Sequence, residues 1–347
     1  MNVSQRLRNS GTYILFVIIC VAFAILAPNF ATTTNFQLVL QEIAPVVISA
    51  AAVTFVMVSG SLDLSVGGIL EISGVIAADL SAHGVPLVIC FIAGVAVGAL
   101  VGLINGYLVV GLGINAVIAT LGTWYAADGI ANLVAYNGSA ITAVGQSFGA
   151  LGEDSAGGIP YSVMVMVVVV VAFILVERKT LVGKYSVAIG SNMEGARLAG
   201  LRVDRIRVLL FVASGAATGL AGIVVASRLD SGQPTVGTNF EFEVIVAAIL
   251  GGVSLAGGRG TVFGVCVGAA IVGVINNALD LLNVQPYWQE IIEGLILVAV
   301  VAVDVLVRKR TGGTPWIAKA FGRRDRTRTN EIVGKSDGAS PSGGAVA

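Results

Sequence analysis

The apolar positions of this chain come in long blocks, not in the amphipathic stripes of a soluble core. Between Arg8 and Glu42, Glu42 and Asp63, Asp79 and Asp128, and Arg207 and Arg228 lie intervals of 33, 20, 48 and 20 residues without Asp, Glu, Lys or Arg. About 20 apolar residues cross the hydrocarbon core of a bilayer as a helix. The blocks predict spans over 13–27, 37–59, 66–82, 86–111, 115–136, 160–177, 205–228, 242–256, 262–283 and 287–307. Ten spans put both chain ends on one side. Pro28, Pro86, Pro160 and Pro286 fall at span ends, where a missing N–H costs little, whereas Pro45 falls inside a span and predicts a kink. Ala22, Phe23 and Ala24 have the spacing of a signal-peptidase site, but with so many spans following, an uncleaved first helix is expected.

Composition agrees. The chain is 56% hydrophobic and 12% charged, where a soluble domain is nearer a quarter charged. The fold class is therefore all-α, a polytopic membrane protein. Net charge is zero, but the basic residues fix an orientation. With the N-terminus cytoplasmic, 19 of the 20 Lys and Arg lie on the inside, leaving only Arg228 at an outer end. The expected topology is N-in and C-in, with the loop Asn137 to Ile159, which has no basic residue, facing out. Residues 1–310 form the transmembrane domain. Residues 311–347, with Arg323, Arg324, Arg326 and Arg328 before a Gly/Ser/Ala/Pro tract, are too polar to fold and read as a disordered cytoplasmic tail beside anionic lipid.

Between the spans, the polar segment 177–207 carries seven basic residues. Ser191 and Glu194 have the spacing of a capping box, and Gly200 sits where a left-handed residue would end a helix. A helix of about two turns, Asn192 to Ala199, is predicted. It is too short to stand in water without support. Two glycine-rich breaks interrupt apolar runs, Met57 to Gly68 around Asp63 and Gly251 to Gly264 around Arg259. Asp63 and Ser65 are candidates for a solute path, since non-helical backbone in a membrane must be buried in protein or line water. Capping of the next helix is the alternative role. Asn105, Asn115, Thr120, Thr123, Trp124, Asn276 and Asn277 lie inside predicted spans and offer the donors and acceptors that a neutral polyol needs; interhelical hydrogen bonding is the alternative for each. A weak internal repeat aligns Val97 to Asn105 with Val267 to Asn276, and Leu62–Asp63, Gly67 and Glu71 with Leu229–Asp230, Gly237 and Glu241. The paired segments run in opposite directions, the pattern of an inverted repeat.

Enzymatic chemistry finds few candidates. The sequence has no G-x-x-x-x-G-K-[ST] phosphate loop, no zinc-type His/Cys spacing and a single histidine, His83. Cys20, Cys90 and Cys266 read as packing residues, not as a disulfide or metal site. No metal, cofactor or nucleic-acid partner is expected.

Five blocks resemble the ribose-type permeases of ATP-binding-cassette (ABC) importers, within the branched-chain amino-acid and sugar permease superfamily. They are SGSLDLSVG at 59–67, GLINGYLV with IATLGT between Gly102 and Thr123, TLVGKYSVAIGSNMEGARLAGL at 180–201, FEFEVIVAAILGGVSLAGGRGTVFG at 240–264, and QEIIEGLILVAVVAVD at 289–304. The resemblance implies a permease subunit for a monosaccharide, working as a homodimer in a bacterial inner membrane. A separate ATPase subunit would bind ATP, and an extracytoplasmic binding protein would deliver the solute. It implies that Gly190, Ser191, Asn192, Glu194, Gly195, Ala196, Arg197 and Gly200 belong to the coupling helix that docks on the ATPase. Ser61 and Ile114–Asn115–Ala116 depart from the family pattern, and the second departure bears on the solute rather than the class. A branched-chain amino acid is the alternative solute. An ion-coupled secondary transporter and a channel are the alternatives of other classes.

Overall fold

The structure, a computed structural model, describes residues 3–143 and 147–310. Among the described residues its regular secondary structure is helical apart from two short two-stranded ladders. The long helices follow the apolar blocks: α1 (Val3–Leu26), α2 (Thr33–Val58), α3 (Val66–Ala82), α4 (Leu87–Gly106, continued by a π-helical turn to Gly111) and α5 (Ala116–Val134). After a short α6 (Ala150–Glu153) comes α7 (Tyr161–Lys179), then α8 (Leu181–Ser191) and α9 (Met193–Leu198). The chain closes with α10 (Val203–Arg228), α11 (Phe240–Leu250), α12 (Val262–Leu281) and α13 (Pro286–Arg310). Five of these, α2, α4 with its π turn, α7, α10 and α12, are long and apolar enough to cross a membrane.

Pro45 lies inside α2 without ending it. Small residues let α4 and α10 approach backbone to backbone, with Gly98 and Gly102 set against Gly215 and Phe211.

The helix ends segregate. At one end Gly258 N donates to Val58 O at 2.7 Å and Val262 N to Glu177 Oε2 at 3.1 Å. At the other, residues 141–142 pair with 231–232, Gly152 N donates to Ser227 Oγ, and Gln37 Nε2 to Gly158 O. By these contacts α2 and α7 run toward the first end and α10 and α12 run away from it.

α3 and α11 are the exceptions in length. At 1.5 Å per residue they rise about 25 Å and about 16 Å, short of a bilayer core. Each is completed by non-helical chain. Residues 59–65 lead into α3 with Ser59, Ser61, Asp63 and Ser65 buried, and residues 231–239 lead into α11 with Ser231, Gly232 and Gly237 buried. The first turn of α3 and the chain leading into α11 meet at Gly67 and Gly237. A side chain on either glycine would strike the other's carbonyl oxygen, so the contact demands glycine on both sides. Glu71 Oε1 accepts from Gly237 N at 3.1 Å, and Glu241 Oε2 lies beside Gly67. These are the residues the internal repeat pairs, now face to face.

Three boundaries differ from expectation. The span expected to reach 256 stops at Leu250, because Gly252 turns left-handed at φ +89°. Segment 177–207 holds two helices instead of one, α8 being additional. The helix expected over Asn192 to Ala199 is capped by Asn192, not by Ser191. Asn192 is extended (φ −155°) and its Oδ1 accepts from Gly195 N at 2.9 Å, whereas Ser191 is the last residue of α8 and its hydroxyl donates to Val187 O. The tail beyond 310 lies outside the described residues.

Candidate coupling surface and polar path

α9 is six residues long and closed at both ends by its own sequence. Gly200 (φ +83°) donates to Arg197 O, and Leu201 N to Ala196 O, the pair of bonds of a Schellman stop. Support comes from a small apolar cluster in which Ala196, Ile189 and Val203 are buried beneath Met193, Leu201 and Ile206. The membrane domain therefore holds α9 without a partner. The opposite face is open: Glu194 and Arg197 are exposed, and Leu198 is 84% exposed. Arg197 pairs with Asp204 at 2.6 Å, both in solvent, a bridge that contributes little. Gly195 faces inward on its own cap, since an added Cβ would come 3.1 Å from the Asn192 side chain. The cap thus accounts for part of the glycine requirement at 195.

α8 sits on both glycine-rich breaks. A Cβ on Gly190 would overlap the Val58 carbonyl oxygen and come 2.5 Å from Gly258 N, and Ser191 packs against Gly258. Gly60 meets Gly190, Ala256 and Gly257 in the same joint. The two breaks and the end of α8, far apart in sequence, make one contact.

From this joint a polar network runs into the bundle. Asp63 is fully buried. Its Oδ1 accepts from the Ser65 hydroxyl at 2.5 Å and from Ser65 N at 3.1 Å, and its Oδ2 accepts from Ser214 Oγ of α10 at 2.8 Å. Asp63 thus makes an Asx turn, while Ser65, at the N-cap, makes no side-chain cap bond. Asn105 Nδ2 donates to Ser65 Oγ at 2.7 Å, Thr123 Oγ1 to Asn105 Oδ1 at 2.6 Å, and Leu64 N to Thr120 Oγ1 at 3.1 Å. Arg207, in the first turns of α10, donates to Ser61 Oγ at 2.9 Å. The network ties the first break to α4, α5 and α10.

The remaining path candidates lie elsewhere. Asn277 and Asn35 exchange amide hydrogen bonds at 2.8 and 3.0 Å, a buried lock between α2 and α12. Asn115 Oδ1 accepts from Val117 N and caps α5. Trp124 points its Nε1 toward Gly67, next to Glu241, with no acceptor. Asn276 donates to Glu293 Oε1 at 2.7 Å and lines two cavities. Sequence reasoning missed Ser214, an isolated hydroxyl in an apolar helix, and Arg207, whose partner Ser61 lies 146 residues away.

Long apolar helices, paired non-helical breaks and an exposed short helix beyond one end of the bundle define a multi-pass membrane protein of transport type. The family model described as branched-chain amino acid transport system / permease component matches residues 35–301, and the chain belongs to this permease family. It is 39% identical over 294 residues to the L-arabinose transport system permease protein AraH of Escherichia coli, covering 85% of this chain and 89% of that one. To the L-arabinose ABC transporter permease protein AraH of Azospirillum brasilense it is 38% identical over 300 residues, covering 86% and 88%. To the ribose import permease protein RbsC of Escherichia coli it is 34% identical over 302 residues, covering 86% and 94%. No solved structure matches the chain.

Proposed function

We propose that this chain is the membrane-spanning permease subunit of an ABC importer for a monosaccharide. What carries the reading is its likeness, along most of its length, to arabinose and ribose permeases. That likeness favours a sugar over the amino acid in the family's description. The chain supplies no catalytic group and no cofactor site of its own; ATP is bound and hydrolysed by a partner subunit. The open face of α9 is the docking surface for that ATPase, and two permease copies enclose the path in a bacterial inner membrane, N-in and C-in. When the ATPase dimer closes, α9 moves, the joint at Gly190 carries the movement to both breaks, and the inverted halves rock about Gly67 and Gly237. A binding protein presents the sugar at the opposite end.

The test is reconstitution with the cognate ATPase and binding protein. ATP-dependent uptake of a pentose or hexose is expected, with no uptake by the permease alone along an ion gradient. Uptake driven by an ion gradient without the ATPase would replace this reading with a secondary transporter. Within that system Leu198→Asp should weaken capture of the ATPase by about thirtyfold, the loss of one well-packed anchor of about 2 kcal/mol. Insertion should be unaffected, because Leu198 touches little of its own chain. Unchanged capture would move the docking surface elsewhere.

Orientation has its own check. Ser155→Cys and Leu198→Cys, each in a chain with the three native cysteines replaced by alanine, are both exposed. An impermeant maleimide added to intact cells should label the first and not the second. Labelling of both would discard the N-in scheme.

A further inference from the structure

At the end of the bundle opposite α9, a cavity of about 280 Å³ runs inward between α2, α10, α11 and α12. Its polar lining is Glu42, Arg228, Thr238, Glu243 and Asn276, and it reaches down to Leu70 and Ala269. Glu243 and Asn276 also line a second cavity of about 430 Å³, toward Glu290 and Glu293 of α13. None of these groups belongs to the Asp63 network or to the coupling surface.

The lining is not self-satisfied. Asn276 spends its Nδ2 on Glu293, but its Oδ1 is buried with no partner. Arg228 stands near enough to Glu42 to attract it, yet among the described residues it forms no ion pair. Glu243 is flanked by the like charges of Glu293, Glu42 and Glu241. Ionisable side chains within spans are expensive and serve function by default. These carboxylates do not gather into a metal-ligand group among the described residues. What the cavity offers is carboxyl groups that accept when ionised and also donate when protonated, together with one guanidinium that can only donate.

We propose that this cavity is a solute site belonging to the permease itself, and that it takes a neutral monosaccharide. Sugar hydroxyls donate to Glu42, Glu243 and the Asn276 amide oxygen, and accept from Arg228. A hydroxyl is both donor and acceptor, so one ring satisfies both kinds of partner. The volume suits a ligand smaller than a drug. The proposal rests on the sugar-importer reading and adds to it a place where this chain, not only its binding protein, holds the solute.

The experiment uses the full chain in nanodiscs, without ATPase or binding protein. Thr238→Cys, at the exposed mouth of the cavity, is introduced with the three native cysteines replaced by alanine. Labelling by an impermeant maleimide is timed with L-arabinose, D-ribose, D-galactose or leucine present. In parallel the complete transporter is assayed for import of the same four solutes. The imported sugar should slow labelling about threefold at about twice its dissociation constant. Glu243→Gln or Asn276→Ala should raise the concentration needed by about tenfold, with the melting temperature held; Glu42→Gln stands in should either fail to fold. A sugar that is imported but never protects overturns the site and leaves the importer reading intact. Protection that survives these substitutions overturns the assignment of the residues. Import of leucine, or of none of the sugars, overturns site and reading together.

Discussion

Gly190→Ala should uncouple ATP hydrolysis from solute import while leaving the spans in place. Gly190 lies where α8 crosses the hydrogen bond from Gly258 N to Val58 O, and a methyl group there would overlap that carbonyl. Both partners are backbone, so no side chain can swing aside. Relief requires α8 to lift from the joint, at a cost of about 1–3 kcal/mol. That is about fivefold to more than a hundredfold in the population of the joined state. The measurement is binding-protein-stimulated ATPase activity set against uptake in proteoliposomes. Uptake is expected to fall by the larger factor, with ATPase capture retained because α9 is held by its own cap and by Ala196. Gly122→Ala is the control, since its methyl meets nothing within 4 Å. Equal uptake in wild type and Gly190→Ala would mean that movement reaches the breaks by another route.

Much of the span pattern was legible because hydrocarbon selects for apolar length, and apolar length survives in sequence as uncharged intervals. The ends were less so. The run from Ile249 through Val253 remains apolar past the helix stop, so hydropathy carried the span to 256 where backbone geometry ends it at Leu250. α8 was invisible for the opposite reason. It has two glycines and polar residues set among basic flanks, and it becomes helical by lying on α2 and on the two breaks. The Ser191–Glu194 spacing was genuine but carries no cap. Asn192, one residue on, takes over the cap from an extended backbone and bonds the N–H of Gly195 where Ser191 would have bonded that of Glu194.

The buried chemistry was only half readable. Asp63, Ser65, Asn105, Thr120 and Thr123 could be singled out as polar residues in apolar runs, and all five fall in one network. Their sequence separations conceal that Ser214, 151 residues away, closes it. Asn276 and Asn277 looked equivalent in sequence. A helix turns by about 100° between neighbours, and that sends one into the cavities and the other into a lock with Asn35. The repeat was the most informative faint signal. Its pairing of Gly67 with Gly237 is realised as contact, and Glu71 and Glu241 each reach the glycine of the other half, because two short helices entering from opposite ends need non-helical chain that meets in the middle.

Asp63→Ala is expected to be the most damaging single change in the bundle interior. The carboxylate accepts from two hydroxyls and a backbone N–H in a fully buried position. Removing it strands these donors at about 1–3 kcal/mol for each one left unpaired. The loss would fall at the junction of α3 with α10. Asp63→Asn keeps the shape and one acceptor, so it should insert and fold with a smaller drop in melting temperature. Asn105→Leu, which deletes the link from Ser65 to Thr123, should lie between the two. Uptake normalised to folded protein separates architecture from mechanism. If the network only holds helices together, loss of uptake will follow loss of folded protein across all three variants. If it carries movement from the Gly190 joint to α4 and α5, Asp63→Asn and Asn105→Leu will remain folded and still capture the ATPase, yet import less solute per molecule. Full specific uptake in both would reduce the network to packing and leave the coupling route with the backbone contacts at Gly190, Val58 and Gly258.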